Sequence, residues 1–533
     1  MSDTGTAVDA DTTAAPDIPL SSPTPVSYAQ RVADFAHSRP ERTALVFVAP
    51  DGGERSLSWA ELDRQANQMA RVLALHGVGP DSLLAICLPT CPEHVVAAIA
   101  AWRLGACTLP LSPQLPDRER REILAVSDSW RRTVMLVEHQ GQYDNDLGLD
   151  QLPALGDFDD SPLPPLSAKP GKAICSGGST GRPKIILDDR LWHKVPGQGS
   201  SLHKFGLRAD QVQLVTGRLY HNIAFSLTHN GLFEGHMVIL LEKFDAALAV
   251  DTIERHRVTF LGMVPIVMQR IARLPGIMGR DFSSIEAFYH SGAVCPVWAK
   301  LVWLELVDPT RQYDCYGGAE GTGVIAIRGD EWLSHEGSLG RPIDTRLAIL
   351  DSAGNALPPG EIGEIFTGPE GGPMTFRYLG AEPPKATPDG LVSLGDLGWV
   401  DDEGYLFLAD RRVDLIITGG ANVYPAEVEG VLSEHPGIAD AVVVGVDDDE
   451  WGKQVYAILL PTDPAAPPDP EDIRAFCRER LVPYKVPKTF EFVEAGFRDE
   501  SGKVRRSQLA SARSPRGGAL PAHSPQPRDE HTS

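Results

Sequence analysis

The chain has 533 residues, 42% hydrophobic and 23% charged, the make-up of an ordinary soluble globular protein too long for a single compact core. Its 49 Lys and Arg against 72 Asp and Glu leave a formal charge of −23, which disfavours nucleic acid or an anionic membrane as the main partner. Seven scattered cysteines without a CxxC pair suggest neither a disulfide framework nor a zinc site and fit a reduced cytoplasm; no apolar run approaches the roughly 18 residues of a membrane span, and the acidic start lacks the basic-then-apolar layout of a signal peptide.

Residues 1–26, rich in Asp, Thr, Ala, Ser and Pro, are expected to be disordered. Tyr28, Val32 and Phe35 then share one face of a helix, and 44–48 with 55–58 read as paired strands around Asp51-Gly52-Gly53. An amphipathic helix at 59–75, a buried strand at 83–88, a helix at 94–102 and a strand at 107–109 follow. Such alternation implies a parallel sheet covered on both faces. A helix near 118–127 and a Pro/Asp-rich connector lead to the next feature.

That feature is Ser176-Gly177-Gly178-Ser179-Thr180-Gly181-Arg182-Pro183-Lys184, in which six of nine residues are Gly or carry a hydroxyl. Apolar runs at 173–175 and 185–187 flank it, so it reads as a loop between two strands. Glycines let backbone N–H groups turn toward an anion, the hydroxyls add donors, and Lys184 supplies countercharge, so the loop suits a phosphate. It is not a Walker A loop, because GxxxxGK[ST] is absent. A flexible Gly/Ser surface turn is the alternative.

Strands are expected at 213–216, 258–263 and 287–290, and a helix at 266–274. Between them lies Leu219-Tyr220-His221-Asn222-Ile223, and Ser291-Gly292-Ala293 is a small-residue turn at a strand end. Asp314-Cys315-Tyr316-Gly317-Gly318-Ala319-Glu320 combines an aromatic ring, glycines and a carboxylate. Asp396, on the Gly-flanked turn 393–398, can accept bonds from both hydroxyls of a ribose, or belong to a plain hairpin. The Gly-rich stretches 337–342 and 360–365 read as turns between strands. From 426 the pattern is helix (426–432), strands (439–446, 454–460), helix (470–481) and strand (489–493), a small α+β domain. Trp451-Gly452 reads as a hairpin with a buried tryptophan, and Lys503 in Ser501-Gly502-Lys503 as a turn lysine in solvent. Beyond 510 the tail is expected to be disordered, with no carrier-protein domain after it.

In their order these stretches resemble the signatures of the adenylate-forming superfamily, acyl-CoA synthetase branch, over about residues 27–508; its phosphate signature [ST]-[SG]-G-[ST]-T-G-x-P-K fits 176–184 throughout. The resemblance implies an α/β fold: a large N-terminal domain (27–411) of parallel-rich sheets covered by helices plus a β-rich segment, then a small mobile α+β C-terminal domain (412–510). It implies that ATP and Mg²⁺ activate a small-molecule carboxylic acid as an acyl-adenylate, and that a thiol, coenzyme A or a carrier protein, takes the acyl group.

It also implies roles. Ser176, Gly177, Gly178, Ser179, Thr180, Gly181 and Lys184 would hold the phosphates, with Thr180 and Glu320 at the metal. Ser291, Gly292 and Ala293 would lie along the adenine, Asp314, Tyr316 and Gly317 would bind the nucleotide with the Tyr316 ring stacked on the base, and Asp396 and Arg411 would meet the ribose. Gly420, after the hinge, would be cofactor-binding, and Trp451 would reach the thiol-binding side. His221 would gate the acyl pocket and Lys503 would be the mobile catalytic lysine. Two positions depart from the family pattern: Ala319 stands where Thr is usual, and Val413 where the hinge commonly has Asp or Lys. His221-Asn222 offers no carboxylate for a substrate ammonium, which disfavours amino acids.

The expected acid is bulky and mostly apolar, polycyclic ahead of fatty or aryl. The phosphate loop and Tyr220-His221-Asn222 also look similar to bile-acid-type CoA ligases and to diterpenoid-acid CoA ligases of actinobacteria. A homodimer is compatible with all of this, as is an oxygen-using luciferase. A catalytically silent ATP-binding protein is disfavoured by the intact Lys503, Glu320 and Asp396.

Overall fold

Six parallel strands form the spine of the large domain in the computed structural model, which describes residues 24–514 apart from 116, 128–129, 142–145, 165, 178–182, 199–200, 412–413, 419–420, 449–450 and 499–501. In spatial order they are Thr43–Val48, Met237–Leu241, Val212–Val215, Phe260–Met263, Ala287–Ser291 and Gln312–Tyr316. Their near-continuous apolar sequence follows from burial on both faces. Glu54–Ser58 closes one edge antiparallel. Beyond Gln312–Tyr316 the same sheet continues antiparallel through Val324–Arg328, Ser338–Ile343, Leu406–Arg411, Val392–Val400, Gly363–Pro369 and Thr345–Leu350, thirteen strands in all. The segment is β-rich as expected, but two of its predicted turns are strand: 338–342 lies in Ser338–Ile343, and 393–398 with Asp396 lies in Val392–Val400, because each glycine-containing run is paired on both sides within the sheet.

A second, four-stranded parallel sheet has the order Cys107–Pro110, Ser82–Cys87, Arg132–Val137, Asp146–Gly148. The helix Asn222–Glu234 lies between the sheets, burying Phe225, His229, Leu232 and Phe233 against Trp102, Ile86 and Leu240, and it ends on Gly235 at φ 83°. Trp59–Leu75 packs on the same core and starts with a capping box, Ser58 and Glu61 each bonding the other's backbone N–H.

A three-stranded sheet, Phe376–Leu379, Pro183–Asp188 and Ala173–Gly177, carries the Gly/Ser loop on its hairpin. The C-terminal unit pairs Ile438–Asp448 with Gly452–Pro461 antiparallel and Gly452–Pro461 with Thr489–Phe492 parallel, covered by Pro425–Ser433, Pro470–Arg478 and Arg506–Ser511. No described helix is long and apolar enough to cross a membrane.

Several expectations need correction. Val26 is not in a tail: Val26–Ser27 pairs with His193–Lys194. The C-terminal helix runs to Ser511, and the Asp447 N–H donates to Ser514 Oγ at 3.3 Å, so 511–514 belongs to the fold. Trp451 is not buried; it is 41% exposed, with Lys488 Nζ 4.7 Å over its ring. The hinge residues 412–413 lie outside the described residues.

Candidate active site

The parallel strands end together, and in sheets of this type ligands bind outside their carboxyl ends. Ser291 and Cys315 are register partners there, so the turn at Gly292 and the stretch Tyr316-Gly317 lie side by side. Gly292, Ala293 and Gly317 are exposed, which leaves an open crevice beside the Tyr316 ring. Glycine is required at two of these places. Gly292 sits at φ 97°, and a Cβ there would come 2.8 Å from Ile223 Cδ1; a Cβ on Gly317 would come 2.9 Å from the Gly323 carbonyl oxygen.

Tyr316 OH donates to Asp396 Oδ2 at 2.7 Å, and Asp396 is the register partner of Arg411. The residues assigned to adenine and ribose are therefore linked in one hydrogen-bonded unit. Asp314 is different. Its carboxylate points into the protein, 3.7 Å from Lys300 Nζ and 3.5 Å from His290 Nδ1, and Lys300 Nζ donates to His290 Nε2 at 2.8 Å. Burial holds His290 well below its ordinary value, so it stays neutral, and burial also raises Asp314 against the Lys300 charge. Asp314 can thus meet a nucleotide through its backbone, while its side chain anchors two neighbouring strands.

On the other side, the strands Ala173–Gly177 and Pro183–Asp188 pair Ser176 with Lys184 and Gly177 with Pro183, bringing the loop ends together. Gly178, Ser179, Thr180 and Gly181 lie outside the described residues, as does Gly420. Lys184 Nζ lies 3.3 Å from Glu320 Oε1, and the same oxygen accepts from Tyr378 OH at 2.7 Å. The Lys184 ammonium also sits 3.9 Å from the Tyr378 ring centroid. A Cβ on Gly318 would lie 2.7 Å from Glu320 Oε2, so the glycine makes room for the carboxylate.

Tyr378 escaped the sequence reading, since it sits on an unremarkable strand 58 residues from Glu320 and 194 from Lys184. Among the described residues no group of three His, Cys, Asp or Glu could hold a metal unaided. A lone hard carboxylate suits magnesium that arrives on phosphate oxygens and keeps its waters. His221 is the N-cap of Asn222–Glu234, its ring 4.7 Å from that of Tyr220.

The turn before Lys503 meets the large domain at Gly502. Gly502, at φ 80°, is close enough to Ile266 that a Cβ would lie 3.2 Å from its Cγ2, and Ile266 is in the first turn of the helix Pro265–Ala272, which follows the strand Phe260–Met263. Arg505 Nη1 reaches Glu119 Oε1 at 2.8 Å, a second link between the two domains. Lys503 itself is exposed.

Residues 32–377 match the family model described as AMP-binding enzyme, and 427–503 match the AMP-binding enzyme C-terminal domain. The chain belongs to the AMP-binding enzyme family. This AMP-binding enzyme is 30% identical to a 2-succinylbenzoate–CoA ligase of Bacillus licheniformis, covering 89% of the chain and 98% of that protein. It is 32% identical to a feruloyl-CoA synthase of an Amycolatopsis species, over 86% and 94%. It superposes on o-succinylbenzoate CoA synthetase of Bacillus subtilis in complex with an acyl-adenylate intermediate with a TM-score of 0.76, at 27% identity, covering 93% of the chain and all of that one. Against a double mutant of the same enzyme bound to a product analogue the TM-score is 0.62, at 27% identity over 92% and 99%.

Proposed function

We propose that this AMP-binding enzyme is an acid–thiol ligase that joins a carboxylic acid to ATP, giving an acyl-adenylate and pyrophosphate, and then passes the acyl group to coenzyme A with release of AMP. The observation that carries the site assignment is the paired arrangement at the strand ends: Tyr316 bonded to Asp396 on one side, Lys184 and Tyr378 bonded to Glu320 on the other. A carboxylate oxygen is a poor leaving group, and AMP is a good one. The obstacle is bringing a carboxylate against a triphosphate. Lys184, the loop N–H groups and Lys503 would neutralise charge where it develops, and Glu320 with Thr180 would hold magnesium, which draws charge from the phosphates.

Tyr316, Asp396 and Arg411 would fix the adenosine so that the α-phosphorus faces the acid, with Ser291, Gly292 and Ala293 along the base. His221 would stand between that reaction centre and the acyl pocket. The docked Gly502 turn supports an arrangement suited to adenylate formation, as does the higher TM-score to the acyl-adenylate complex. The domains would divide at 27–411 and 412–510, with Val413 at the hinge and Trp451 reaching the thiol after reorientation. The described cysteines are free, which supports a cytoplasmic setting. Two copies pairing would show in light scattering.

The acid would have an apolar body. Ile223 fills the space beside Gly292, and Leu227 Cδ1 would lie 2.4 Å from a Cβ on Gly262, so the glycines do not by themselves make a wide pocket. Both fillers are apolar. The test is incubation with ATP, Mg²⁺ and coenzyme A and a panel of polycyclic, fatty and aryl acids, read by mass spectrometry. Acyl-AMP and acyl-CoA are expected. Acyl-AMP that transfers only to a phosphopantetheinylated carrier protein would change the acceptor, and no acyl-AMP from any acid would overturn the reading.

A further inference from the structure

The helix that starts at the His221 gate carries Asn222, Ser226 and Asn230, each four residues after the last. Four residues return a side chain to the same helix face about 6 Å further along. The three therefore form a polar file leading away from the gate. They keep part of their surface open, whereas Phe225 and residues 227–229 are buried.

Two lysines from elsewhere in the chain meet this file. Lys172 Nζ donates to Asn222 Oδ1 at 2.8 Å and to Ser226 Oγ at 3.1 Å. Lys194 Nζ donates to Asn230 Oδ1 at 2.5 Å, an oxygen that also accepts from Tyr28 OH at 2.9 Å. Among the described residues neither ammonium has a carboxylate within 4.0 Å. An ammonium held only by amide and hydroxyl oxygens has lost hydration without gaining a counter-ion.

The surrounding charges do not compensate. Burial pushes both lysines down to about 8, and the Lys172 charge lowers Lys194 further. Asp188 and Glu234 act the other way, but Asp188 is paired with Arg190 at 2.9 Å, itself a further cation, and Glu234 with His203 at 3.1 Å and the Gly197 N–H. Cys107 and His229 also face Lys172; burial keeps the thiol protonated and holds the imidazole neutral, down to about 4.

We propose that Lys172 and Lys194 form a subsite for a second carboxylate on the acyl substrate, so that the acid activated here is a dicarboxylic acid with an apolar spacer. This rests on the ligase reading and narrows its substrate class. Ile223 and Leu227, on the adjoining face of the helix, would pack on the spacer. From Asn222 to Asn230 the helix rises about 12 Å, which puts the second carboxylate roughly 6–12 Å beyond the gate. It would supply the counter-ion that the protein itself withholds.

The test compares α,ω-diacids of eight to twelve carbons with their monomethyl half-esters and parent monoacids, reading pyrophosphate release. The expected diacid to half-ester ratio in kcat/KM is at least about tenfold at pH 7, falling toward one as pH rises through 8 and the lysines lose their charge. Lys172→Met and Lys194→Met should each cut the ratio about tenfold or more. Asn222→Asp, which leaves Lys172 in place but gives it an internal counter-ion, should cut it too, and serves if a methionine variant fails to fold. A wild-type ratio within about twofold of one, or a ratio that survives all three substitutions, overturns the subsite while leaving the ligase intact. Absence of pyrophosphate with every acid overturns both.

Discussion

Glu320→Gln keeps the shape of the side chain and removes its charge. The carboxylate is 9% exposed, with Lys184 at 3.3 Å and Tyr378 OH at 2.7 Å on one oxygen. A hydrogen bond to a charged acceptor contributes about 1.5–3 kcal/mol against about 1 for a neutral one, so the Tyr378 bond weakens by about 1 kcal/mol. The partly buried Lys184 pair adds up to about 1 kcal/mol more. Stability without nucleotide should therefore fall by about 1–2 kcal/mol, visible in urea unfolding. Catalysis should suffer more, because the charge proposed to meet magnesium is gone; a loss of about 100-fold in adenylation corresponds to about 2.7 kcal/mol. ATP–pyrophosphate exchange across a Mg²⁺ series is the assay, and half-saturating Mg²⁺ should rise about tenfold. Tyr378→Phe is the control: it loses the same hydrogen bond but keeps the carboxylate, so its Mg²⁺ titration should stay close to wild type. Exchange within about twofold of wild type with an unshifted Mg²⁺ titration in Glu320→Gln would remove Glu320 from the metal site.

Lys503→Ala should abolish exchange while coenzyme A transfer from supplied acyl-AMP persists; equal loss of both half-reactions would refute a role confined to the first. Tyr316→Phe, which removes the donor to Asp396 but keeps the ring, should raise the ATP KM about tenfold, a 1.4 kcal/mol loss, and an unchanged KM would detach that bond from nucleotide binding. Val413→Pro should uncouple the half-reactions while Val413→Asp stays mild, since a hinge needs backbone rotation at one or two residues; normal turnover in the proline variant would move the hinge. Burial pushes His94, His229 and His236 down to about 3, 4 and 4, so each contributes stability that is whole above pH 6.5 and is lost as pH falls through the folded value. Each adds a slope of about 1.4 kcal/mol per pH unit within that window. Urea midpoints at pH 7 and 5 should show a steep loss in the wild type and a shallower one in His94→Phe, and equal slopes would contradict this.

Local signals were legible in the sequence. Helical periodicity marked 59–75, apolar strands alternating with helices announced the parallel sheet, and small residues located the turn at 291–293, because periodicity and turn chemistry act over a few residues. The motifs, in order, also motivated the nucleotide and metal roles proposed above. Tertiary structure alone decided which side chains meet. Tyr316 finds Asp396 across 80 residues and Lys184 finds Glu320 across 136, and Lys172 reaches Asn222 across 50. It also turned the Asp314 carboxylate inward to Lys300, filled the space beside Gly292 with Ile223, and left Trp451 in solvent. Such contacts depend on which strand lies beside which after each crossover, and on how far neighbouring side chains reach into shared space. No short window of sequence contains either.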